Sequence, residues 1–252
     1  MASTLIVDQL QKTGGSTTAL TLPTSNASAN EFLQNNGAGA LSWASAAAGF
    51  SDITPNTTTG SSVYTVPTGI TKLIVILTGG GGGGSAGIAA TAHGGGGCSA
   101  GTVIARVTVV PTDTITIAIG AGGANTANTA STVGNIGGDS TFTHTSGTGS
   151  FDTITAPGGQ PGVLYGTQVT APAAATVGAS NSGLAIKGGA PSGDNNGAAS
   201  FWGSGGAHGL ASVAASTVGE AWGSGGGGGT YTAGLYYGSA GKKGACLIME
   251  FK

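Results

Sequence analysis

The chain has 252 residues, of which 52 are glycine and only 6% are charged, and its net charge is -2. So few charges, with no basic stripe or patch, exclude the electrostatic footprint of a nucleic-acid binder and of a protein drawn to an anionic membrane surface. The longest strongly apolar run, Leu73 to Leu77, is too short to cross a bilayer, and no targeting leader is visible, so membrane insertion is not expected.

Glycine loses more backbone freedom on folding than any other residue. A chain this rich in it must recover free energy from backbone hydrogen bonds, close packing or association, so a homo-oligomer, most simply a trimer, is the expected state. Residues 1–50 read as a separate attachment and oligomerisation segment of small hairpins. Thr4 to Leu10 and Ala19 to Leu22 are short apolar strands around Thr13-Gly14-Gly15, with Pro23 closing the second. Phe32-Leu33-Gln34 and Ala40-Leu41-Ser42-Trp43 flank a turn at Asn35 to Gly39. Isolated hairpins are marginal in water, so Leu5, Val7, Leu20, Leu22, Phe32, Leu33, Leu41 and Trp43 are the candidates for contact with further copies or with another protein.

Residues 51–60 read as a linker, and 61–252 as an antiparallel β-sandwich, jelly-roll-like, in an all-β chain. Ser62 to Val66 is a strand stopped by Pro67. Thr71 to Thr78 is an almost continuous apolar run suited to a strand covered on both faces. Val103, Ala105, Val107 and Val109 alternate with polar or mixed positions, and Ile115, Ile117 and Ile119 do the same beyond Pro111-Thr112-Asp113. Residues 102–119 therefore predict a hairpin. Weaker strands follow at Ser140 to Thr143 and Phe151 to Thr155, and a stronger one closes the chain at Ala245 to Phe251. No glycine-free window carries a helical apolar stripe.

Between the strands lie the glycine tracts, notably 79–84, 94–97 and 225–229. They admit two readings: a solvated flexible coil, or extended backbones laid side by side with Cα–H groups against carbonyls. Gly-x-Gly-x-x-Gly patterns recur in them by composition alone and open no nucleotide-binding helix. His93, His144 and His208 sit without metal-ligand partners at a recognisable spacing, Asp113, Asp139, Asp152 and Asp194 are scattered, and no nucleophile elbow is present. No enzyme, cofactor or metal site is expected, and a carbohydrate-cleaving tailspike-type activity is the least favoured reading. Cys98 and Cys246, the only cysteines, read as buried thiols made in a reducing cytoplasm, with a single bridge the alternative.

Aromatic residues concentrate in the last quarter: Phe201, Trp202, Trp222, Tyr231, Tyr236 and Tyr237. Rigid rings on thin loops suit recognition of a glycan or protein, and the same rings could equally be the only core this region has. Trp202, Tyr231, Tyr236 and Tyr237 are the candidate receptor contacts, and Trp222 is the one read as packing.

The series Tyr64 to Leu73, an apolar strand, polyglycine, Gly94 to Gly97 entering a second strand, Pro111 to Thr114, Ile119 to Gly123, Gly137 to Phe142 and Gly244 to Ile248 resembles the glycine-rich domain of bacteriophage tail-fibre proteins. Leu20 to Ser25, Phe32-Leu33 and Gly39 to Trp43 are similar to a repeat in phage fibre and other virion proteins. The resemblance implies an oligomeric β-structured element on the virion exterior, assembled in the host cytoplasm. It would be held to another virion protein through residues 1–50 and would bind a host-surface glycan or protein. A capsid decoration protein or head fibre is the alternative.

Overall fold

The computed structural model describes residues 9–10, 20–28, 31–35, 40–45, 49–87, 93–126, 132–164, 172–191, 195–209, 216–229 and 237–252. They form two compact units, Met1–Gly49 and Phe50–Lys252. In the first unit β1 (Gln9–Leu10) pairs antiparallel with β2 (Leu20–Thr21), and β3 (Glu31–Asn35) with β4 (Leu41–Ser45); Thr21 bridges to Ala40. The Trp43 indole N–H donates to the Ser25 carbonyl at 2.6 Å. The positions expected at 4–8 lie outside the described residues.

The second unit contains β5 (Phe50–Asn56), β6 (Gly60–Thr65), β7 (Lys72–Thr78), β8 (Thr102–Thr108), β9 (Thr114–Ile119), β10 (Ser140–Ser146), β11 (Ile154–Ala156), β12 (Ser182–Ile186) and β13 (Ala245–Phe251). They build two antiparallel sheets, ordered β12-β8-β7-β13-β5 and β11-β10-β9-β6. Period-2 alternation sends Leu73, Val75, Leu77, Val103, Ala105, Val107 and Ile248 inward from the first sheet, against Ile115, Ile117, Ile119, Phe142, Ile154 and Ala156 of the second. The result is the expected all-β sandwich with one apolar core.

Two sequence expectations change. Residues 102–119 are not a hairpin: β8 pairs with β7 and β12, whereas β9 pairs with β6 and β10. The two strands face each other across the core. Alternation fixes which side chains point inward but not which sheet a strand joins. Residues 51–60 are not a linker: β5 pairs with β13 from Phe50 to Asn56, and β6 starts at Gly60. Phe-Ser-Asp-Ile-Thr-Pro-Asn lacks a clean period because an edge strand is largely solvated, and Pro55 is tolerated on a free edge.

The arch from β8 to β9 turns on Asp113, which is 1% exposed. Its carboxylate accepts the N–H groups of Val110 at 3.0 Å, Thr148 at 3.1 Å and Gly149 at 3.3 Å, and His144 Nε2 lies 3.5 Å away. Burial pushes this carboxyl up, but the backbone donors and the neighbouring imidazole outweigh it and hold it below the usual range. A depressed folded-state value gives stability that is present above the unfolded pKa and lost as pH falls through the folded one. Asp113→Ala should therefore cost about 2 kcal/mol at pH 7, by removing the shared acceptor of three backbone amides. In urea melts its deficit relative to wild type should shrink below about pH 4.

The glycine tracts settle on the second reading. Along 79–86, successive N–H groups point to three neighbours in turn. Gly79, Gly82 and Ser85 donate to Gly101, Cys98 and Gly95; Gly80, Gly83 and Ala86 donate to Gly138, Asn135 and Thr132; Gly81 and Gly84 donate to Lys242 and Ser239. Falling partner numbers make these neighbours antiparallel. Carbonyls of the same tract accept from Gly159 and Gly162, from Gly226 and Gly229, and from Gly123, on neighbours that run parallel, so six tracts ring the central one. Three residues per turn with no internal hydrogen bond is polyproline II geometry.

A Cβ built on any residue from Gly79 to Gly84 would lie closer than 3.0 Å to a neighbouring carbonyl oxygen, and none of these glycines has positive φ. Glycine is required here for proximity, not for an unusual dihedral. Each Cα–H against a carbonyl contributes about 0.5–1 kcal/mol, the same size as glycine's additional entropic cost.

Candidate functional site

β7, β9 and β11 run directly into tracts starting at Gly79, Gly120 and Pro157, while β8, β10 and β13 emerge from tracts ending at Gly101, Asp139 and Gly244. The bundle thus grows from one end of the sandwich. At the junction Thr78 and Thr102 share a hydroxyl hydrogen bond of 2.9 Å, and the Ser140 hydroxyl donates to the Thr78 carbonyl. The opposite end of the sandwich carries the Pro67 to Gly69 turn and the Asp113 arch. Phe50, the first residue of this unit, pairs with Phe251 there.

The far end of the bundle follows from the hydrogen-bond ladder. Ala86 donates to Thr132, Gly94 to Gly229, Gly209 to Gly228, and Thr126 to Gly238. Gly87 and His93, Thr126 and Thr132, Gly209 and Ser216, and Gly229 and Tyr237 are the described residues toward this end. The tract interior accepts almost no side chains, so side-chain variety is displaced to this end and to the outer faces of the bundle.

Tyr237 is at the far end, 42% exposed, with its carbonyl accepting the Ser216 hydroxyl. Tyr231 and Tyr236 lie outside the described residues. Trp202 is elsewhere: its indole N–H donates to Thr78 Oγ1 at 2.8 Å, at the sandwich junction. Its ring packs edge-to-face on Phe201 and Trp222, at centroid distances of 5.1 and 5.3 Å. The structure therefore joins Trp202 to Trp222 in a packed cluster, apart from Tyr237. In the first unit Leu22, Leu41 and Trp43 are half-buried and Phe32 and Leu33 exposed, while Leu5, Val7 and the Leu20 side chain fall outside what is described.

On the flank of the bundle, Asn196, Ala199, Ser204 and Glu220 line an open groove of about 460 Å³, with the Ser204 hydroxyl donating to Glu220 at 2.6 Å. Close to the far end His93 and His208 have ring centroids 6.3 Å apart, a pairing that sequence spacing does not reveal. Burial pushes the Cys98 thiol up to about 11 and the Cys246 thiol to about 12, so neither is a ready nucleophile. Among the described residues no cluster of three or more His, Cys, Asp or Glu forms, and no helix is long and apolar enough to cross a membrane. The arrangement offers surfaces for binding.

A family profile described as a glycine-rich domain matches residues 56–249, from the end of β5 to β13. No curated protein matches the chain.

Proposed function

The chain belongs to the glycine-rich domain family, and we propose that it is a non-enzymatic surface protein of a tailed-bacteriophage virion whose bundle end contacts the host cell. The observation that carries this reading is the division of labour along the second unit. The described ends of the glycine tracts, the exposed Tyr237 among them, gather at one end of a bundle whose interior is backbone and small residues, and the chain enters this unit at the other end of the sandwich, through Phe50. Loops on a rigid scaffold commonly carry recognition. Residues 1–49 then serve as the anchor on a neighbouring virion protein and as the seat of homo-oligomerisation.

Purified protein should compete with intact particles for host-cell adsorption. Tyr237→Ala should weaken that binding by more than about 1 kcal/mol, as dominant contacts do, with its thermal melt intact. Trp202→Ala should behave in the opposite way, with a lowered melt and normal binding per folded molecule. Removing residues 1–49 should abolish incorporation into particles while preserving the β signal of the remainder. Undiminished adsorption with Tyr237→Ala, together with density of the protein on the capsid shell, would favour the decoration-protein reading instead.

A further inference from the structure

We propose that His93 and His208 form a binding site for a late divalent transition-metal ion at the far end of the bundle. The Gly94 and Gly209 amides, each following one of these histidines, donate to Gly229 and Gly228, so consecutive residues of one tract bring the two imidazoles together. The rings meet edge-to-face, with centroids 6.3 Å apart and planes at 60°. Two imidazoles bound to one ion at metal–nitrogen distances of about 2.0–2.1 Å place their centroids roughly 5–6 Å apart, close to the separation of this pair.

The ring nitrogens are set for this role. Asn196 Oδ1 accepts the His208 backbone N–H at 2.8 Å, which identifies that atom as the oxygen, and it also lies 3.2 Å from His208 Nδ1. Nδ1 must then carry the proton, leaving the lone pair on Nε2, the arrangement by which an outer hydrogen bond orients a metal-binding imidazole. His93 Nδ1 is buried and has no hydrogen-bond partner among the described residues. A buried unpaired ring nitrogen beside an oriented imidazole calls for a ligand, and neutral imidazoles select ions such as Zn²⁺ and Ni²⁺. The remaining coordination positions would be open to water or to an oxygen or nitrogen of a bound molecule. The chain's third histidine, His144, belongs to the Asp113 arch in the sandwich.

The test is calorimetric titration of the untagged full-length protein with ZnCl₂ and, separately, NiCl₂. Binding of one ion per chain is expected. His93→Gln and His208→Gln should each weaken it by at least about tenfold, and Asn196→Ala by about tenfold through loss of ring orientation, with unchanged melts. Histidine side-chain NMR of the wild-type protein gives a check that needs no variant: Zn²⁺ should shift the His93 and His208 rings and leave His144 unmoved. Absence of binding, binding undiminished in a folded His93→Gln/His208→Gln variant, or shifts confined to other residues would overturn the proposal. Metal binding is measured without host cells, so its outcome is separate from that of the recognition reading.

Discussion

Gly82→Ala will unfold the glycine bundle. The methyl group would be driven into the carbonyls of Gln160 and Gly159, both closer than 3.0 Å to the Cβ position. The same residue donates to Cys98 and accepts from Gly226, so a shift that relieves the clash breaks hydrogen bonds to other tracts. Rigid backbone on every side leaves no flexible side chain to yield. The expected loss exceeds about 4 kcal/mol, an exceptional value for one methyl group and a large part of the roughly 5–15 kcal/mol that stabilises a typical domain. Gly189→Ala is the control, because its nearest neighbours would be Ser99 Oγ at 3.6 Å and the Ala199 carbonyl at 3.8 Å, in ordinary contact. Paired thermal melts decide the point: a Gly82→Ala protein as stable as Gly189→Ala would mean that the tract packs more loosely than the ladder requires.

Val107→Asp should be comparably severe for the sandwich. Val107 is 1% exposed, pairs with Leu73 in the β7–β8 register, and points into the core shared by both sheets. No donor awaits a carboxylate there, so the side chain must take up a proton or open the core, at a cost of more than about 4 kcal/mol. The adjacent Arg106 is exposed on the other face, and Arg106→Asp should stay within about 0.5 kcal/mol of wild type. Urea denaturation of both variants checks the assignment of faces. Equal stability would mean that the inward face of β8 is wrongly placed.

The same two residues show what local sequence encodes. Alternation from Val103 to Val109 and from Ile115 to Ile119 marks the buried face of each strand. It is silent on pairing, because a hairpin and an arch between sheets require the same alternation. β12 was not legible: Ser-Gly-Leu-Ala-Ile is an exposed edge strand, with Leu184 58% exposed. The glycine tracts announce themselves by composition, yet their threefold period cannot be read from a run of identical residues. It becomes visible only through the partners that Gly79 to Ala86 reach. Aromatic clustering singles out Tyr237 and Trp202 alike. It could not separate Tyr237 from Trp202, whose indole is tied to Thr78, nor could spacing bring His93 beside His208.

The threefold winding of 79–86 gives this part of the gene a second reading frame, counted in amino acids. Inserting one residue early in the tract would rotate every later N–H by about 120°, presenting each to the wrong neighbour, whereas inserting three would restore every bearing and lengthen the tract by about 9 Å. Each tract is wedged among others, so one cannot grow alone. The reach of the bundle should therefore change in steps of whole turns taken by adjoining tracts together, so that related chains differ in bundle length by multiples of three residues distributed across several tracts.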